Sequence, residues 1–189
     1  MEPFTVANPD IIIRPETWLK QDIPNAEIFP PTHNVYRKGR ADRCEGILVA
    51  TQAHLIMHEV QHATIAEAVL VHVPTEKNTE PLIVRSLYST PSATSEHQME
   101  EILKTLDSVK TNGTVWICGD LTLPDIIWKD QRVMGNGYPQ NISSSFLNEV
   151  DDLRLHQTNE QPTRGDAILD IFLPDLPSLF TKTIITRGL

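Results

Sequence analysis

The chain has 189 residues, 40% hydrophobic and 22% charged, with a formal net charge of −9, which fits one globular domain that buries a core without disulfide staples. That acidity excludes nucleic-acid binding by bulk electrostatics, so any such binding needs a local patch. No apolar run approaches the roughly 20 residues of a membrane helix, "MEPFTVANPD" carries no secretory signal, and Cys44 and Cys118 form no paired spacing, so the chain reads as intracellular and not secreted.

In chain order, "DIIIR" (10–14) is a short β-branched run ended by Pro15, which places the carboxylate of Glu16 just past a strand. The one basic stretch, "YRKGRADR", carries Tyr36, Arg37, Lys38, Arg40 and Arg43. It reads either as a contact for a phosphate backbone or as a solvated loop. "GILVAT" (46–51), "EAVLVHV" (67–73) and "PLIVRSLY" (81–88) are strands, the last closing on Tyr88. Ser95 and Gln98 form a capping box for a helix whose apolar face is Met99, Ile102, Leu103, Leu106 and Val109, stopped by Asn112 and Gly113.

"TVWIC" (114–118) is a strand that runs straight into Gly119 and Asp120. A carboxylate at a strand end suits a ligand or a base, because the strand holds the side chain rigidly while one side stays open; Gly-Asp is also ordinary turn chemistry. After the Pro- and Gly-rich stretch 124–139, a second helix turns Ile142, Phe146, Leu147, Val150 and Leu153 inward. "AILDIFL" (167–173) and "TKTIIT" (181–186) close as strands. Strands outnumber helices and no repeat is visible, so the fold class is α/β with sheet at its centre.

Two features point to chemistry. Asp170 stands inside "ILDIF", where a buried unpaired carboxylate would cost several kcal/mol, so either it has a cationic, His or metal partner or its strand turns it onto a solvated face. "HEVQH" (58–62) matches H-E-x-x-H, which on a helix would let His58 and His62 bind zinc with Glu59 as base. The segment is bracketed by β-rich runs, however, and "HLIMHEV" alternates as a strand would.

Four stretches carry a resemblance over nearly the whole chain: "DIIIRPETWL", "SLYSTPSATSEHQMEEI", "WICGDLTLPDIIW" and "QPTRGDAILDIFLPDLPSLFTK". In order and spacing they are similar to the endonuclease/exonuclease/phosphatase family, in particular its branch at the front of non-LTR retrotransposon reverse-transcriptase polyproteins. The resemblance implies a single domain over 1–189 with a four-layered α/β sandwich, two face-to-face mixed sheets flanked by helices. It also implies Mg²⁺ or Mn²⁺ as cofactor, DNA as substrate and partner, hydrolysis of a phosphodiester, and a nuclear site of action.

By the same resemblance Glu16 corresponds to the metal-ligating acid and Tyr88 to the tyrosine near the scissile phosphate. Asp120 corresponds to the acid that positions or deprotonates the attacking water, and Asp170 to the acid that orients a catalytic histidine. Arg37, Lys38, Arg40 and Arg43 would meet the nucleic acid. The departures are specific. The family's asparagine two places after Gly-Asp is Thr122, whose hydroxyl cannot reproduce an amide that both donates and accepts. An expected arginine is Ser89, and the glycine-rich run expected near residue 44 reads "RCEGI". Neither the family's opening asparagine strand nor its closing Ser-Asp-His strand is found, which implies a domain incomplete at both termini and impaired catalysis. Sheet edges left open would then favour self-association. A non-catalytic remnant or interaction module is the alternative reading, with a zinc peptidase third.

Overall fold

The computed structural model describes residues 9–20, 22–39, 46–55, 58–60, 67–73, 80–89, 96–107, 113–136 and 139–180. Three antiparallel strands make the first sheet, in the order β1 (Ile11–Arg14), β3 (Gly46–Gln52), β2 (His33–Gly39). The second sheet has five strands, in the order β10 (Asp170–Pro174), β7 (Thr114–Asp120), β6 (Leu82–Tyr88), β5 (Glu67–Val73), β4 (His58–Val60). Only β6 and β7 run parallel among these pairs, and the helix between them, α2 (Glu96–Asp107), is the crossover that a parallel pair requires. A single helical turn, α1 (Asn25–Ile28), follows β1, and α3 (Gln140–Asp152) precedes β10.

Alternation along the strands sorts the side chains into layers. Ile47, Val49, Val69, Val71, Val84 and Tyr88 pack between the two sheets, with Ile11, Ile13 and Trp116 at the margin. On the far side of the five-stranded sheet, Ile83, Leu87, Ile117, Ile171 and Leu173 meet Met99, Ile102 and Leu106 of α2 and Ile142, Phe146 and Val150 of α3. On the far side of the smaller sheet, Ile12, Leu48 and Ala50 are covered by Leu19, Ile28 and Phe29. The result is the expected α/β sandwich of two facing sheets with helical cover outside, the larger sheet mixed and the smaller one antiparallel throughout rather than mixed.

Several expectations change. The basic stretch is not a loop through Gly39: His33–Gly39 forms edge strand β2, paired along its length with β3. Alternation of Tyr36 inward and Val35 outward outweighs the charges, and a cationic edge strand resists pairing with other chains. His58 and Glu59 lie in β4, paired to β5 with His58 opposite His72, rather than on the helix a zinc peptidase motif needs. His62 lies outside the described residues, as do Arg40, Arg43, Ser95, Val109 and the expected strand 181–186.

The Pro- and Gly-rich stretch contains a small hairpin, β8 (Ile126–Ile127) with β9 (Arg132–Val133), whose two-residue strands are too short to show periodicity. The outer side of β10 is also covered. The backbone N–H groups of His156 and Thr158 donate to the carbonyls of Pro174 and Phe172, and Phe172 N–H donates to Gln157 Oε1. That edge is therefore closed to the pairing expected of it.

Candidate active site

The site arises from strand register. In the parallel pair Tyr88 stands opposite Asp120, and in the antiparallel pair on the other side Asp170 stands opposite Asp120. Neighbouring strands lie about 5 Å apart, so Tyr88, Asp120 and Asp170 form one row across three strands. Tyr88 packs in the layer between the sheets, and the alternation puts the row on that face. Glu16 reaches it from the smaller sheet. The chain leaves β1 at Pro15, and Glu16 and Trp18 both have positive φ, 50° and 54°. Left-handed backbone at non-glycine residues costs on the order of 1 to 3 kcal/mol each, a cost met here at the turn that aims Glu16 at Tyr88.

Tyr88 is 2% exposed, and its hydroxyl donates to Glu16 Oε1 at 2.6 Å, tying the two sheets together. Tyr88→Phe keeps the ring in the core but removes this charge-assisted bond, so a stability loss of roughly 1 to 2 kcal/mol is expected. A thermal melt beside wild type checks it, and an unchanged Tm would show that the bond contributes nothing net.

Asp120 is 5% exposed. Its Oδ2 accepts from Arg164 Nη2 at 3.1 Å, while its Oδ1 is buried without a hydrogen-bond partner. Burial pushes its pKa up from 3.8 to about 6; the Arg164 charge pulls it down, and the charges of Asp170 and Glu16 push it up again. An orphaned carboxylate oxygen in such a place is poised to take a proton or meet a cation.

Asp170 is not buried. It begins β10 rather than lying inside a longer strand, and its side chain is exposed, so the solvated alternative holds. Its backbone is anchored instead: its N–H donates to Thr163 Oγ1 and its carbonyl accepts from Asn159 Nδ2. With Ile11, Ile13, Pro15, Trp116 and Phe172 it lines a cavity of about 600 Å³.

Thr122 is engaged with backbone. Its hydroxyl donates to the Ser89 carbonyl at 3.1 Å, and Ser89 N–H donates to the Asp120 carbonyl at 3.0 Å, a clasp that fixes the exits of β6 and β7. Arg37 is not brought to the row. It donates to the carbonyls of Ile23 and Lys20, and β2 lies at the opposite edge of its sheet from β1. Lys38 shares that strand.

Arg164, Asn159 and Thr163 are site residues that sequence reasoning missed. The signal available was "PTRGDA", an arginine in turn chemistry a few residues before the strand acid.

The donor set is all oxygen: Glu16, Asp120 and Asp170 carboxylates with the Tyr88 phenol. No group of three His, Cys, Asp or Glu residues among those described converges into a ready cage. That pattern, with Asp120 Oδ1 orphaned, fits Mg²⁺, which binds through one or two carboxylates and completes its shell with water and substrate oxygens.

No protein-family profile and no curated protein sequence matches the chain. Solved structures do. The endonuclease domain of TRAS1, a telomere-specific non-LTR retrotransposon, superposes with a TM-score of 0.61 at 16% identity, covering 90% of this chain and 74% of that one. A 3′-5′ exonuclease from Neisseria meningitidis gives 0.61 at 13%, covering 90% and 78%. An endonuclease/exonuclease/phosphatase family protein from Leptotrichia buccalis gives 0.59 at 13%, covering 91% and 78%. The chain has the α/β fold of these endonuclease/exonuclease/phosphatase proteins.

Proposed function

We propose that the chain is a metal-dependent phosphodiesterase of the non-LTR retrotransposon endonuclease type, nicking chromosomal DNA in the nucleus. The observation that carries this reading is the buried, unpartnered oxygen of Asp120 within a row of carboxylates. The TRAS1 likeness and the four sequence stretches support the branch. Ionised Asp120 takes the proton of the attacking water, whose oxygen bonds to phosphorus as the bond to the leaving ester oxygen breaks and that oxygen takes a proton from solvent. Glu16, its Oε1 oriented by the Tyr88 hydroxyl, would hold a divalent ion. When bound, that ion neutralises charge developing on a phosphoryl oxygen. Turnover is slow, because Thr122 has its proton engaged with Ser89 and so cannot orient water or phosphate as an amide would.

Nicking of supercoiled plasmid with Mg²⁺ or Mn²⁺ tests this. Slow nicking that stops with chelator and is absent from Asp120→Ala is expected. Equal nicking by Asp120→Ala would overturn the assignment, and hydrolysis of aryl phosphate monoesters alone would place the chain among phosphatases. A base must be ionised to act, so kcat/KM is expected to rise with pH through about 6 and to level off above it; a flat profile from pH 5 to 8 would remove Asp120 from that role.

A further inference from the structure

We propose that Arg164 is the residue that grips the scissile phosphodiester, and that its contact with Asp120 is the resting position from which it moves. Arg164 lies in a short hairpin closed by the bridge from Arg164 to Ala167, with Gly165 at φ 60°. Thr163 Oγ1 accepts the N–H groups of Leu169 and Asp170, which ties the base of this hairpin to the start of β10. The backbone is therefore held while the side chain, 53% exposed, can swing.

A guanidinium has five N–H donors in a planar fork that matches a phosphate bidentately. One of them donates to Asp120 Oδ2, leaving most of the fork unused. The row otherwise gathers negative charge from Glu16, Asp120 and Asp170, which repels a phosphodiester. Among the described residues Arg164 is the one cation in contact with it, whereas Arg37 is engaged with the carbonyls of Lys20 and Ile23. An incoming phosphate competes with Asp120 for the same fork. Its capture would draw the Arg164 side chain away from Asp120 Oδ2 as substrate arrives.

The proposal rests on the nuclease reading, and the experiment separates the two. Binding of a short fluorescent DNA duplex in chelator, where hydrolysis is stopped, is followed against salt for wild type, Arg164→Ala, Arg164→Lys, Asp120→Asn and the double variant. Arg164→Ala is expected to bind about tenfold more weakly, with a salt slope smaller by about one. Arg164→Lys restores the slope but not the full affinity, since a point charge lacks the fork. Asp120→Asn, which frees the fork, binds more tightly, and this increase vanishes in the Arg164→Ala background. If wild type binds and Arg164→Ala matches it in affinity and slope, or if the Asp120→Asn increase persists without Arg164, the gripping role is overturned while the nuclease reading stands. If wild type binds no DNA, both fall.

Discussion

Asp120→Asn is expected to lose most of the proposed phosphodiesterase activity and yet to melt at a higher temperature than wild type. The two effects share one cause. The Asp120 carboxylate is buried, one of its oxygens lacks a partner, and its pKa is pushed from 3.8 to about 6. A group whose folded pKa lies above its unfolded value destabilises the fold whenever it is ionised. The cost is absent below about 4, grows as pH rises through 6 and is complete at neutral pH. Its size is on the order of 2 to 3 kcal/mol.

Asparagine has the same shape without the charge, so a rise of roughly 5 °C in Tm is expected for a chain of this length at pH 7. Loss of a general base costs about 10²- to 10⁴-fold in rate. Melting curves at pH 7.5 and pH 3.5 check the thermodynamic half: the difference between the two proteins must be present at the first and absent at the second. A variant less stable than wild type at pH 7.5 would mean that the Arg164 contact outweighs the burial cost.

Gly119→Ala should act in the opposite direction, and severely. A Cβ at Gly119 would meet the Leu87 carbonyl oxygen within clash distance and lie 2.8 Å from the Leu87 carbonyl carbon. These are backbone atoms of a buried neighbouring strand, so no side-chain rotation relieves the contact. The β6 and β7 pair must separate where Tyr88 and Asp120 stand opposite each other. Overpacking of a core by side chains typically costs 1 to 3 kcal/mol, and a backbone clash belongs above that range, at about 4 kcal/mol. Soluble Gly119→Ala protein with a Tm more than roughly 8 °C below wild type, or protein that fails to fold, is the expected outcome. A Tm within 2 °C would show that the strands shift freely. The glycine before the acid is thus a steric requirement of the sheet, independent of chemistry.

Much of this was legible in the residues. "GILVAT", "EAVLVHV" and "PLIVRSLY" became β3, β5 and β6 because β-branched runs suit strands buried in a sandwich. Gly119 and Asp120 announced a strand end. What escaped was non-local. Strand β2 hides behind Arg37 and Lys38, whose pairing with β3 depends on a partner sequence rather than on local propensity. Spacing left Asp170 open between a partnered buried carboxylate and a solvated one, because Ile168, Leu169, Ile171 and Phe172 surround it in sequence; Ala167 and Ile168 belong to the approach from the hairpin and the strand starts at Asp170 itself, which is exposed. Arg164 reaches Asp120 across 44 residues of chain, and no spacing rule connects two such positions.

The same remoteness has a kinetic meaning. The Tyr88 to Glu16 bond closes 72 residues of chain and the Arg164 to Asp120 contact closes 44, while the parallel pair β6 and β7 is joined through the α2 crossover. Loop closures of this kind cost entropy before any contact compensates them, and topologies built from distant pairings fold slowly. On refolding from denaturant, helix and hairpin signals are expected to return first, and the three acids and one phenol to come into line only when both sheets have docked. Regain of the proposed activity is therefore expected to be a late clock for this chain, marking the end of folding rather than any step within it.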